Sequence, residues 1–175
     1  EELEAIRAYN EKYYVPENQI PWCGGSACEL EDEEVEGQYR LVVTRYKTEP
    51  NCGYITKGEV FQGDRLIATV KRNYDWFWHF FVINHPKTGH DYLLCGEDYQ
   101  GYNIINLSTG ENRVYIPKAA LVGAGWCAIN ATGFDVETCK LTIDGCVWAC
   151  PYETITFDFS NPDLLPLPVL GVEEI

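Results

Sequence analysis

The chain has 175 residues, 46% of them apolar, with 12 Tyr, 7 Phe and 5 Trp, a supply that excludes general disorder. Its 27 acids against 13 bases leave a formal net charge of −14, which would repel a phosphate backbone and excludes ordinary nucleic-acid binding. No apolar run approaches the about 20 residues of a membrane-spanning helix, and the length suits one substantial domain with an added arm.

Residues 1–14 place Leu3, Ile6, Tyr9 and Tyr13 at helical spacing behind Glu1, Glu2 and Glu4. Acids at the start favour the positive end of a helix dipole, so the pattern predicts one short amphipathic helix ending near Pro16. The turn-rich stretch Pro21 to Cys28 follows, and then Glu29 to Glu36 carries six acids in eight residues. Residues 1–36 hold a net −9, whereas residues 40–72 hold a net +4 through Arg40, Arg45, Lys47, Lys57, Arg65, Lys71 and Arg72. Like charges packed this closely repel one another. Glu31, Asp32, Glu33 and Glu34 are therefore expected either to fold back on the basic stretch or to meet a basic partner. Together with the apolar stripe they predict a tether, residues 1–37, outside a single β-domain at 38–175.

From Gln38 onward the chain reads as strands and turns. Tyr39–Tyr46, Tyr54–Phe61 and Arg65–Lys71 are rich in β-branched and aromatic residues, and Gly-containing turns separate them. Trp76–Asn84 reads as an aromatic strand closed by a turn at His85–Gly89. Shorter strands follow at Asp91–Gly96, Tyr102–Leu107, Arg113–Ile116, Gly125–Asn130, Cys139–Ile143, Cys146–Ala149 and Thr154–Phe159, before a Pro-rich tail. An all-β fold of antiparallel meanders is predicted. A weak internal repeat sharpens it: Tyr92 and Leu141 occupy equivalent points 49 residues apart. A four-stranded unit at a period of about 40–50 residues is the mark of a propeller blade. The expected modules are a meander at 38–73 and blade-like repeats at 74–118 and 119–170.

Residues 98–107, the run Gly125-Trp126-Cys127, and Asp144 to Glu153 (Asp-Gly-Cys-Val-Trp-Ala-Cys-Pro-Tyr-Glu) carry a resemblance. So do Thr156-Phe157-Asp158-Phe159-Ser160 and Pro166-Leu167-Pro168. Over residues 76–170 the chain resembles propeller-like (WD40-like) proteins with Gly-Phe-Cys-Trp and Gly-Cys-Tyr-Trp-Ala-Cys-Pro-Tyr-Glu motifs. The resemblance implies two to three propeller blades and transfers no catalytic residue.

Catalytic grammar is sparse. Gly123-Ala124-Gly125-Trp126-Cys127-Ala128 copies a dinucleotide fingerprint but is followed by strands instead of the helix that such a site requires. Ser26, Ser108 and Ser160 lack a nucleophile elbow, and His79, His85 and His90 lack zinc spacing, which leaves the latter two as turn or surface histidines. No metal or cofactor is expected. The eight cysteines and the sequons at Asn106 and Asn130 lean toward an oxidising, extracytoplasmic compartment. In extended chain Cys146 and Cys150 would lie about 13 Å apart, beyond the roughly 7 Å of a disulfide. Cys23–Cys28, spanning two glycines, is the feasible local bond. With no Met, Glu1 is not a translation start, so a processed or trimmed N-terminus is expected.

These features point to a non-catalytic interaction or structural module. Its expected partner is a protein that is basic or carries an apolar groove. Leu3, Ile6, Tyr9, Tyr13 and the four acids are the expected contact residues, joined by Trp76 and Trp78 if the aromatic strand presents a platform instead of being buried on both faces. The alternative is a hydrolase or carbohydrate-active protein using the aromatic face and the loop carboxylates Glu97 and Asp98.

Overall fold

The computed structural model describes residues 2–20, 31–49, 53–97, 101–118, 126–147 and 151–175. It is all-β with one helix, and its contacts divide it into two compact units, Glu1–Phe77 and Trp78–Ile175. The division falls at Phe77/Trp78, forty residues beyond the boundary expected from the charge shift. Hydrogen bonding, unlike side-chain charge, joins the acidic segment to the strands that follow it.

The first unit begins with α1 (Glu2–Asn10) and two short 3-10 turns at Glu11–Tyr13 and Pro16–Asn18. Its sheet comprises β1 (Gln19–Ile20), β2 (Glu31–Glu36), β3 (Tyr39–Lys47), β4 (Tyr54–Gln62) and β5 (Arg65–Arg72). The long β3 is central. It pairs with β4 along one side and with β2 and β1 along the other, antiparallel throughout. Two-residue connections, Gly37-Gln38 and Gly63-Asp64, join β2 to β3 and β4 to β5. Both glycines have positive φ, which such tight hairpins require. Leu41 and Val43 are buried from β3, and Tyr13 joins Tyr46 and Ile55 in a small cluster. Phe77 brings the tip of its ring against the bare backbone of Gly58, where a Cβ would come within 2.4 Å of it.

The second unit consists of two four-stranded antiparallel meanders, each paired in chain order. The first is β6 (His79–Val82), β7 (Tyr92–Glu97), β8 (Gly101–Asn106) and β9 (Glu111–Tyr115). The second is β10 (Cys127–Asp135), β11 (Lys140–Cys146), β12 (Tyr152–Asp158) and β13 (Val169–Glu174). Tyr92 and Leu141 sit at the starts of β7 and β11, the corresponding second strands, and both are buried. One core serves both meanders, with Trp78, Leu94, Tyr102 and Ile104 packed among Leu141, Ile143, Phe157 and Phe159. Each such side chain is worth about 1.5–3 kcal/mol when fully buried.

Three expectations need correction. The aromatic strand is only His79–Val82, so Trp76 and Trp78 precede it. The fourth strand of the second meander is Val169–Glu174, beyond the prolines expected to end the chain; Pro-Leu-Pro delays this strand without preventing it. His85 is fully buried instead of lying at the surface. Its Nε2–H donates to the Phe159 carbonyl at 2.9 Å, and its Nδ1 accepts the Thr88 amide at 3.2 Å. Those partners fix the neutral tautomer. The ring meets the edges of Tyr92 and Phe159, and so ties the β6–β7 connection to the end of β12.

Candidate functional site

The expected tether is integral to the first unit. Tyr13 is buried against Tyr46 and Ile55 and cannot serve an outside partner, because an aromatic that closes a core is already spent. Ile6 and Tyr9 are exposed, and the side chain of Leu3 lies outside the described residues. The Tyr9 hydroxyl donates to Glu49 Oε1 at 2.9 Å, and Lys12 Nζ reaches the same oxygen at 3.3 Å. The tyrosine hydroxyls, with Lys12, hold the Glu49 carboxyl below its ordinary range. Asn10 donates to Asn73 at 2.9 Å, Lys71 pairs with Glu11, and the Tyr14 hydroxyl bonds the carbonyls of Thr56 and Arg72.

The acidic arm is a strand. Glu31, Asp32, Glu33 and Glu34 stand opposite Thr44, Val43, Val42 and Leu41 in the β2–β3 ladder. Of the bases expected to receive it, Arg45 pairs with Asp75 at 2.8 Å and Lys71 with Glu11.

The other expected residues are scattered. Trp76 is half exposed, whereas Trp78 is buried in the core of the second unit and is not a contact platform. Glu97 is buried at the end of β7, and its proposed companion Asp98 lies outside the described residues, as do Cys23 and Cys28. Cys139 and Cys146 are free thiols. Among the described residues no group of three or more His, Cys, Asp or Glu side chains could hold a metal, and no helix is long and apolar enough to cross a membrane.

The feature that sequence reading missed lies at the outer side of the second unit. Residues directly opposite in an antiparallel ladder share a face. Ile155 stands opposite Val172, and Phe157 opposite Val169, with a bulge between. Ile155 and Phe157 are 8% and 5% exposed, yet Val172 and Val169 are 53% and 57% exposed. The buried face of the sheet therefore runs out of cover at β13. The first meander differs at the equivalent place, where Arg113 of β9 stands opposite Ile104. Arg113 donates to the Asp163 carbonyl at 2.9 Å and pairs with Glu111 at 3.0 Å. The connection between β12 and β13 thus reaches the outer strand of the first meander through Asp163, and nothing among the described residues does the same for β13.

Beside β13 opens a cavity of about 460 Å³, lined by Tyr102, Tyr115, Trp126, Phe157, Leu167 and Val169 among others. Its floor is fixed in two ways. The buried Tyr102 oxygen accepts the Leu167 amide at 3.0 Å, anchoring the Pro-Leu-Pro segment, and burial pushes the phenol up to about 12. The Trp126 indole lies on bare Gly145, where a Cβ would fall 2.4 Å from the ring. The lining is apolar and aromatic, suited to enclosing an apolar side chain. The sequence did hold a signal for this edge: Val169-Leu170-Gly171-Val172 is strand-like once the prolines are passed.

The chain is thus an all-β protein of antiparallel meanders. No family model matches it, and neither does any solved structure. It is 37% identical over 155 residues to uncharacterized protein R762 of Acanthamoeba polyphaga mimivirus. The match covers 86% of this chain and 56% of that protein, so the chain spans little more than half the length of the curated relative it matches.

Proposed function

We propose that this chain is a non-catalytic, structural interaction module that joins a larger protein assembly through β13. One observation carries the reading: Val169 and Val172 are exposed on the face that buries Ile155 and Phe157. A strand open along one side also presents unpaired backbone donors and acceptors, which invite another strand. The two meanders are read as propeller-like blades. Their in-order pairing and the buried pair Tyr92 and Leu141 support that reading, as does the core that the two meanders share.

The test is assembly of the tagged full chain with the complex it forms in its native source. V169K/V172K should release the chain from that complex, while its circular-dichroism melt stays close to wild type because neither side chain is buried in the free protein. An intact complex in the variant would overturn the reading.

A further inference from the structure

We infer that the occupant of the β13 edge is an antiparallel strand of a partner protein that reads cation-x-apolar-x-apolar, the cation being Lys or Arg. This rests on the docking edge read above and adds the chemistry of what docks there.

The pattern comes from β13 and its existing neighbour. Along β13 the residues sharing the uncovered face are Val169, Val172 and Glu174, opposite Phe157, Ile155 and Glu153 of β12. Strand β12 thus already presents acid-x-apolar-x-apolar, in Glu153, Ile155 and Phe157. The two apolar matches are favourable. The third places one carboxylate directly opposite another, and like charges so placed are destabilising. None of the ion pairs among the described residues reaches Glu153 or Glu174, and Glu173 adds a further acid beside them.

A second antiparallel strand on the open side of β13 would meet the same three residues in the same order. Its apolar side chain nearest Val169 would stand at the mouth of the aromatic cavity, which Val169 itself lines. Its residue opposite Glu174 would face Glu153 and Glu174 together. A cation there pairs with Glu174 directly and so relieves its repulsion with Glu153, and charge of that kind sets partner choice more than raw affinity. A second copy of this chain fits poorly, since each copy carries −14 and β13 would bring Glu173 and Glu174 into the shared edge. Strand addition of this kind takes its affinity from backbone bonds and its specificity from alternate side chains.

The experiment uses the full chain, wild type and E174K, and two synthetic peptides, Thr-Lys-Thr-Val-Thr-Phe-Thr and its Glu-for-Lys counterpart. Binding is followed by backbone amide shifts. The Lys peptide should move the β13 amides and bind wild type at least tenfold more tightly than the Glu peptide at low salt. E174K should invert that preference. Equal binding of both peptides to β13 would overturn the cation and leave the docking edge standing. No shift at β13 with either peptide at millimolar concentration would overturn this inference, and the assembly experiment above then decides the edge separately. Self-association through β13, seen by light scattering and abolished in V169K/V172K, would make a second copy the occupant and overturn it as well.

Discussion

Tyr102 supports the wall of the cavity with a single oxygen, and Y102F removes that oxygen alone. In the folded unit the Leu167 amide donates to it at 3.0 Å, and both residues are almost fully buried. Without the hydroxyl, the amide has lost its acceptor in a place that excludes water, which costs about 1–3 kcal/mol. Packing is kept, because the ring still meets Tyr115 and Phe157 with centroids 5.2 and 6.4 Å away. We therefore expect a loss of about 1–2 kcal/mol, which in a unit of this size lowers the melting temperature by about 4–16 °C. Scanning calorimetry of the full chain reads the shift, and hydrogen exchange at Leu167 reads its cause, since that amide should lose protection. Ultraviolet titration supplies an independent check. The Tyr102 phenol should stay neutral until about pH 12, alongside Tyr13 and Tyr92, which are also raised, and Y102F should reduce that late amplitude by one phenol. A melting temperature within 1 °C of wild type with Leu167 still protected would refute the anchoring role.

His85 is buried as the neutral imidazole, and burial holds its pKa below the ordinary value of 6.5. The unfolded chain then binds the extra proton first. The contribution of His85 to stability is complete above about pH 6.5 and falls away as pH drops through that value toward the depressed one. Melts of the second unit at pH 7.5 and 5.5 should show this slope and H85Q should flatten it; an unchanged slope in the variant would remove His85 as its source. A chain beginning at residue 19 strips Tyr13 and Tyr14 from Tyr46, so the first unit should lose about 2 kcal/mol or more while the second melts as before. Calorimetry showing an unshifted first unit would make the docked segment dispensable.

Much of the fold was legible because strands announce themselves through alternation and turns through glycine. The β4–β5 hairpin needed only Gly63-Asp64 between two β-branched runs, and the repeat was visible in Tyr92 and Leu141. What was not legible depends on neighbours distant in sequence. His85 looks like a turn residue next to Pro86, and only Phe159, 74 residues away, explains why it is buried. Tyr13 belongs to a stripe that suits an outside groove equally well, until Tyr46 and Ile55 are placed beneath it. The candidate site was hidden for the same reason. Val169 and Val172 look like an ordinary apolar tail, and their exposure acquires meaning only from the buried Ile155 and Phe157 opposite.

The outer strands β2 and β13 carry opposite kinds of sequence. A ladder draws its bonds from the backbone, so five acids in six residues do not prevent β2 from pairing with β3. They do make β2 a poor template for a further strand, since charged side chains on an edge discourage edge-to-edge pairing. Strand β13 is built in the opposite way. Val169, Leu170 and Val172 are exposed along most of it, and its acids are confined to Glu173 and Glu174 at the far end. That arrangement leaves the apolar stretch exposed, with the acids at the end where the proposed basic residue of a partner strand would stand. Concentrated charge in the sequence of β2 and exposed valines on β13 are opposite treatments of an outer strand, which is why the proposed docking edge is β13.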